Sequence, residues 1–237
     1  MGGMDQSRKR VLLFDIDGTL LDPMGEGCEL MRRALLDVFG VTGPIETYDM
    51  AGKTDWRIIT DLMRMAGQAE ERISTLRDAA FAAYAHHMEK AAPTLRMALL
   101  PGVPVLLDRL VEHDHFILGL VTGNVREAVP HKLRAAGIDP GLFGFGAFGS
   151  EHIDRNQLPD LALQRLRALN GYQILPGQVL IIGDTPHDIA CARHAGVRVL
   201  CVATGTYQRE TLASFQPDFL LDDLSNVDTV MEILLGY

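Results

Sequence analysis

Three features of the sequence predict an α/β fold, a doubly wound parallel sheet with a small helical domain inserted after its first strand. Runs of β-prone apolar residues end in chemistry-bearing residues at three places: VLLFDIDGT from Val11, FILGLVTGN from Phe116 and VLIIGDTPHD from Val179. The second and third runs lead directly into helical patterns, so strands and helices alternate as parallel crossovers require. Between the first two runs, residues 29–91 contain helical repeats but no convincing strand. That is more than one crossover needs.

The first run follows a basic segment, Arg8 to Arg10, and reads as a buried strand. Asp15 and Asp17 arrive where the strand ends, the sheet edge at which open α/β folds bind ligands. Two neighbouring carboxylates raise each other's pKa unless a cation or a shared proton relieves the repulsion, and a divalent metal is the natural relief. Gly18 lets the chain turn at once, and Thr19 can hydrogen-bond its own loop.

The insert shows helical spacing at Leu30, Ala34 and Val38, at Trp56, Ile59 and Met63, and at Ile73, Leu76, Ala80, Ala83 and His87. A three-segment bundle follows, so residues 22–95 form a candidate cap on a core made of 1–21 and 96–237. Within AGKTDWR, residues 51–57, Thr54 suits a helix N-cap and Trp56 the interior of the cap. Lys53 and Arg57 lie close to that helix start.

After Pro101 the sequence predicts helix 103–113, strand 116–121, helix 125–136, a short strand 145–149, helix 158–170, strand 179–182, helix 186–195 and strand 198–202. Strand 218–221 and helix 227–235 complete the pattern. Thr122, Gly123 and Asn124 end the second motif strand, where a hydroxyl, an amide and backbone N–H groups can meet an anion. Asp184 ends the third. Asp188 falls one helical turn later, behind Pro186, and can face the same cleft.

Acid-x-acid, hydroxyl-Gly-Asn and Gly-Asp-x-x-x-Asp, in that order on three strand ends, resemble the motifs of the haloacid dehalogenase superfamily, in its branch with a helical cap. The resemblance extends from about Arg10 to the C-terminus. It departs at the third motif, which usually supplies a lysine before a helix: no lysine follows Lys132, and Arg155 stands at the expected distance. Arginine can carry the same charge and reach two phosphoryl oxygens.

The resemblance implies a Mg2+-dependent phosphatase of small phosphorylated metabolites, similar to phosphoglycolate phosphatases. In that scheme Asp15 is the nucleophile that becomes an aspartyl-phosphate, and Asp17 is the general acid and base. Asp15, the Asp17 carbonyl and Asp184 hold the metal, and Asp188 orients its surroundings. Thr122, Gly123, Asn124 and Arg155 bind phosphoryl oxygens, and Lys53 reads the rest of the substrate. A sugar phosphomutase and a Lys53 Schiff-base hydrolase similar to phosphonoacetaldehyde hydrolase are the alternatives, ahead of a non-catalytic binding module. Asp17 argues against dehalogenation, because halide needs no proton.

Composition agrees. With 47% hydrophobic residues in 237, a substantial core is expected. A formal net charge of -9 disfavours nucleic acid and anionic membrane as partners. Cys28, Cys191 and Cys201 lack metal-ligand spacing and read as reduced, packed thiols, and no signal-like or spanning apolar run appears, so a cytoplasmic protein is expected. His187 is the one histidine placed to influence the site. Residues 1–7 read as a flexible lead-in.

Overall fold

β1, Arg10–Phe14, is apolar on both of its faces and runs through the middle of a six-stranded parallel sheet. The computed structural model describes residues 9–171 and 173–236, so the lead-in expected at 1–7 lies outside the described residues. The other strands are β4 (Phe116–Thr122), β5 (Phe145–Phe148), β6 (Val179–Gly183), β7 (Arg198–Val202) and β8 (Phe219–Leu221). Their order is β5-β4-β1-β6-β7-β8, with every pairing parallel.

Leu12 and Phe14 pack beneath α4 (Val103–Val111), α5 (Val129–Ala135) and α9 (Val227–Gly236), while Val11 and Leu13 pack against α6 (Leu158–Asn170), α7 (Pro186–His194) and α8 (Arg209–Ser214). Alternate residues of one strand thus feed two cores, which is why the strand reads as a continuous apolar run. β1 lies between β4 and β6 in register, with Phe14 opposite both Leu120 and Ile182. The three motif strands are therefore neighbours, and their carboxyl ends open onto one place.

The chain leaves β1 through β2 (Leu21–Asp22) and returns through β3 (Ala98–Leu99), an antiparallel pair at the base of the insert. Between them lie α1 (Glu26–Phe39), α2 (Asp55–Met65) and α3 (Glu70–Ala91). A third apolar cluster, including Leu35, Ile59, Leu62, Ala80 and Met88, holds the three together and reaches the sheet domain at Val125 and Ala128. Thr54 caps α2 through its side chain, accepting from Arg57 N–H at 3.1 Å. Trp56 packs edge-on to Phe81 but is only partly buried, at the margin of this cluster with Arg77 4.0 Å over its ring.

Several element bounds differ from the sequence reading. The helix expected from Val125 begins at Val129, because residues 123–128 form the turn that meets the insert. β2, β3 and α8 are two to six residues long and too short to leave a periodic signal. All three cysteines are free thiols. Among the described residues no helix is long and apolar enough to cross a membrane.

Candidate active site

Asp15 continues β1 by one residue, its N–H donating to Ile182 O at 2.9 Å. That bond fixes its carboxylate at the sheet edge, where it lies 4% exposed. Asp184 follows β6 and Asp188 sits in the first turn of α7, so carboxylate oxygens of all three lie within 4.8 Å of one another. Burial first, and then the charges of Asp188 and Asp17, push Asp15 up to about 6 against the opposing pull of Arg155. Asp184 is raised well above the carboxylate range by burial and by Asp188 and Asp15. A buried acid cluster of this kind calls for a cation.

Arg155 supplies one positive charge from the turn before α6. Its Nη2 lies 2.9 Å from Asp15 Oδ2 and 2.5 Å from Asp188 Oδ1, all three side chains being buried. Asp188 Oδ2 accepts from Thr185 N at 3.0 Å and Thr185 Oγ1 at 2.7 Å, closing the cap of α7. Asp188 is thereby fully committed. It is buried behind the cleft, with its carboxylate turned toward those of Asp15 and Asp184, as the spacing of the two acids allows.

Asp184 is held differently. Thr19 Oγ1 donates to its Oδ1 at 3.0 Å, while a Cβ placed on Gly18 or on Gly205 would stand 2.3 or 1.7 Å from its Oδ2. Two glycines therefore cradle an oxygen that no side chain covers, and Gly18 adopts φ +82, a conformation glycine takes at little cost. Hard carboxylate oxygens of Asp15 and Asp184, kept open by the missing side chains, suit a small divalent cation.

Across the cleft, Asp17 Oδ2 accepts from Asn124 Nδ2 at 2.9 Å and from Lys132 Nζ at 2.5 Å. Asn124 Nδ2 also donates to Thr122 Oγ1 at 2.8 Å, and Lys132 Nζ to Asn124 Oδ1 at 2.6 Å. Thr122 is fully buried, and its oxygen accepts from Asn124, so only its own proton is left to offer. Lys132 is 2% exposed, and sequence reasoning missed it. It stands on the buried stripe Val129, Lys132, Leu133 of α5, where a cation among apolar residues is the available signal.

The insert closes over these groups. Asp55 N–H donates to Gly123 O at 2.7 Å, Trp56 N–H to Gly149 O at 3.2 Å, Thr54 Oγ1 to Ile153 O at 2.9 Å and Arg155 Nη1 to Gly52 O at 3.2 Å. Val125 N–H donates to the buried carboxylate of Asp55, which burial pushes up to about 7. Gly123 is required by close approach: a Cβ there would stand 2.1 Å from Lys53 O. Asp55 is the second residue sequence reasoning missed, since an acid after an N-cap reads as ordinary helix-end chemistry.

A cavity of about 630 Å3 lies between insert and sheet, reaching from Asp15, Asp17 and Asp184 to Cys28, Tyr48 and Tyr84. Lys53 lines it, with Nζ donating to Asp49 O at 2.5 Å and lying 4.1 Å from the Tyr48 ring centre. Arg57 turns away, 3.9 Å from Asp61. His187 is exposed, with one edge of its ring against Gly52, and desolvation there and then Arg155 lower its pKa.

A haloacid dehalogenase-like hydrolase profile matches residues 12–202, a stretch containing all three motif strands and the insert. The chain belongs to the haloacid dehalogenase-like hydrolases. This hydrolase is 28% identical over 218 residues to a phosphoglycolate phosphatase of Synechococcus elongatus, covering 92% of this chain and 95% of that protein. In fold it is similar to a predicted phosphoglycolate phosphatase from Haemophilus somnus, with a TM-score of 0.68 and 24% identity over 97% of this chain and 100% of the other. It is also similar to CbbY from Rhodobacter sphaeroides, solved as a mutant with xylulose-(1,5)-bisphosphate, with a TM-score of 0.69 and 20% identity over 92% of this chain and 96% of that one. The haloacid dehalogenase-like hydrolase described here is an enzyme of the phosphatase type.

Proposed function

We propose that the protein is a Mg2+-dependent phosphatase that hydrolyses a small phosphomonoester through an aspartyl-phosphate on Asp15, in the manner of the phosphoglycolate phosphatases it is similar to. The observation that carries this reading is the meeting of Asp15, Asp184 and Arg155 at one end of the cavity, with Asp17 held separately by Asn124 and Lys132. Residues 22–95 act as the cap that covers the site.

Asp15, the Asp17 carbonyl and Asp184 would hold Mg2+, which supplies charge neutralisation and alignment of two anionic partners. Asp15 attacks phosphorus and the bond to the leaving oxygen breaks, while Asp17 delivers a proton to that oxygen. Asp17 then takes a proton from water as the water's oxygen attacks phosphorus, and Asp15 leaves as a free carboxylate. Arg155, the Thr122 hydroxyl and the N–H groups of Gly123 and Asn124 stabilise the phosphoryl oxygens as charge moves between them. Asp188 acts through Arg155 by holding its guanidinium. The cap excludes water until the substrate is seated.

Two further observations weigh against the alternatives. Asp22, Glu46 and Asp49 are among the residues that line the cavity, and this acidic lining disfavours a second phosphate of the kind a sugar bisphosphate carries. Lys53 Nζ donates to Asp49 O and lies 4.1 Å from the Tyr48 ring centre, contacts that a Schiff-base amine would have to leave. Inorganic phosphate release from a panel of phosphomonoesters, with Mg2+ and in excess chelator, tests the proposal. Release in step with substrate loss and abolished by chelator is expected; isomerised sugar phosphate without free phosphate would overturn it.

A further inference from the structure

Lys132 is a fully buried ammonium, and burying a charge costs several kcal/mol unless it is closely paired. Its partners are both in the site: Asp17 Oδ2 at 2.5 Å and Asn124 Oδ1 at 2.6 Å. The Asp17 carboxylate has very few holds. Among the described residues its Oδ1 has no hydrogen-bond partner and its Oδ2 accepts only from Lys132 and from Asn124 Nδ2, so its orientation rests on Oδ2. Asn124 in turn depends on Lys132, because the ammonium on its Oδ1 and the Thr122 hydroxyl oxygen on its Nδ2 keep the amide from flipping. Removing the lysine takes away one of two donors to Asp17 and loosens the other. A compact ammonium with three donors suits this three-way junction better than a planar guanidinium.

We propose that Lys132 is a positioning residue for proton transfer: from α5, behind the second motif, it holds Asp17 and Asn124 in the arrangement that places the acid beside the leaving oxygen. The inference rests on the reading of Asp17 as general acid and gives that acid a fixed orientation. Lys132 does not touch the phosphoryl group in this scheme, so its loss is felt only where a proton must be delivered. Alkyl phosphates need that proton. A nitrophenyl phosphate does not, because nitrophenolate leaves as the anion.

The test measures kcat/KM, which reports phosphoryl transfer to the enzyme, for glycerol phosphate and p-nitrophenyl phosphate with saturating Mg2+. It compares the unmodified enzyme, Lys132→Met, Asp17→Asn and the double variant. Lys132→Met, whose aliphatic stem fills the same space, is expected to lose roughly 100-fold on the alkyl substrate and under about five-fold on the aryl one, within the range of general acid catalysis. In the Asp17→Asn background the same change should cost nothing further, because a residue that acts through Asp17 has nothing left to position. Equal losses on both substrates, or a full additional loss in the double variant, would overturn the inference while leaving Asp17 as the acid. An Asp17→Asn enzyme with undiminished alkyl turnover would overturn both. Should Lys132→Met fail a thermal-melt check, Lys132→Gln, which keeps a polar end but not the charge, is put through the same comparison with the same outcomes decisive.

Discussion

The carboxylate of Asp55, at the start of α2, accepts the backbone N–H of Val125 from the turn after the second motif strand at 2.7 Å. Burial raises Asp55 to about 7. The folded chain therefore keeps this proton to higher pH than the unfolded chain, whose aspartate ionises near 3.8. The sign is unfavourable at neutral pH: stability falls as pH rises from about 4 to about 7, by an amount on the order of 4 kcal/mol. Asp55→Asn keeps an acceptor for Val125 and removes the titration. Thermal melts from pH 4 to 8 should show the variant gaining on the unmodified protein as pH rises, and parallel curves would refute this.

Asp15→Asn should abolish phosphate release while leaving the melting temperature the same or higher. It removes a carboxylate that burial and neighbouring acids already oppose, and with it the nucleophile of the proposed mechanism. Turnover above trace level would remove Asp15 from its role.

Among the described residues Arg155 is the one cation bound to Asp15 and Asp188, so Arg155→Met leaves buried acids without a cationic partner. A loss of about 3–5 kcal/mol is expected from breaking a buried pair on one side. Arg155→Lys, which restores the charge without the fork, should recover much of that stability and part of the activity. Chemical denaturation of the two variants checks the ordering, which a solvated loop arginine would not produce.

Without a cation, Asp15 and Asp184 hold protons to unusually high pH, and metal must displace them. Mg2+ should therefore raise the melting temperature more at pH 8 than at pH 5. Titration calorimetry in buffers of different ionisation enthalpy would report the released protons. A Gly205→Ala variant, whose Cβ would stand 1.7 Å from Asp184 Oδ2, should weaken this Mg2+ response by ten-fold or more in affinity. An unchanged response would place the metal elsewhere.

Lys53→Ala should raise KM for a substrate carrying a remote anionic group and alter an aryl phosphate little, because binding energy from a non-reacting part can be lost selectively. Steady-state kinetics on the two substrates decides it. Equal effects would assign Lys53 to its contacts with Asp49 and Tyr48, that is, to the shape of the cap loop.

Much of this was legible in the sequence because it is local. The apolar run of β1, its acids at the strand end, the Thr54 cap and the spacing of Asp184 and Asp188 each follow from periodicities of a few residues. Even the substitute cation, Arg155, stands where distance along the chain puts it. Lys132 and Asp55 were not legible, since a lysine on a helix stripe and an acid after an N-cap each have an ordinary explanation.

The sequence by itself therefore determined which strands build the parallel sheet, that three of them end in reactive groups, and which acids those are. Only the tertiary structure decided which charge faces which: that Arg155 joins Asp15 to Asp188, that Lys132 holds Asp17, and that Asp55 fastens the insert to Val125. The reason is physical. Strand and helix patterns are set by backbone geometry over short stretches, whereas a buried ion pair depends on where helices far apart in the chain come to rest, and that is settled by packing the whole of both cores and the cap together.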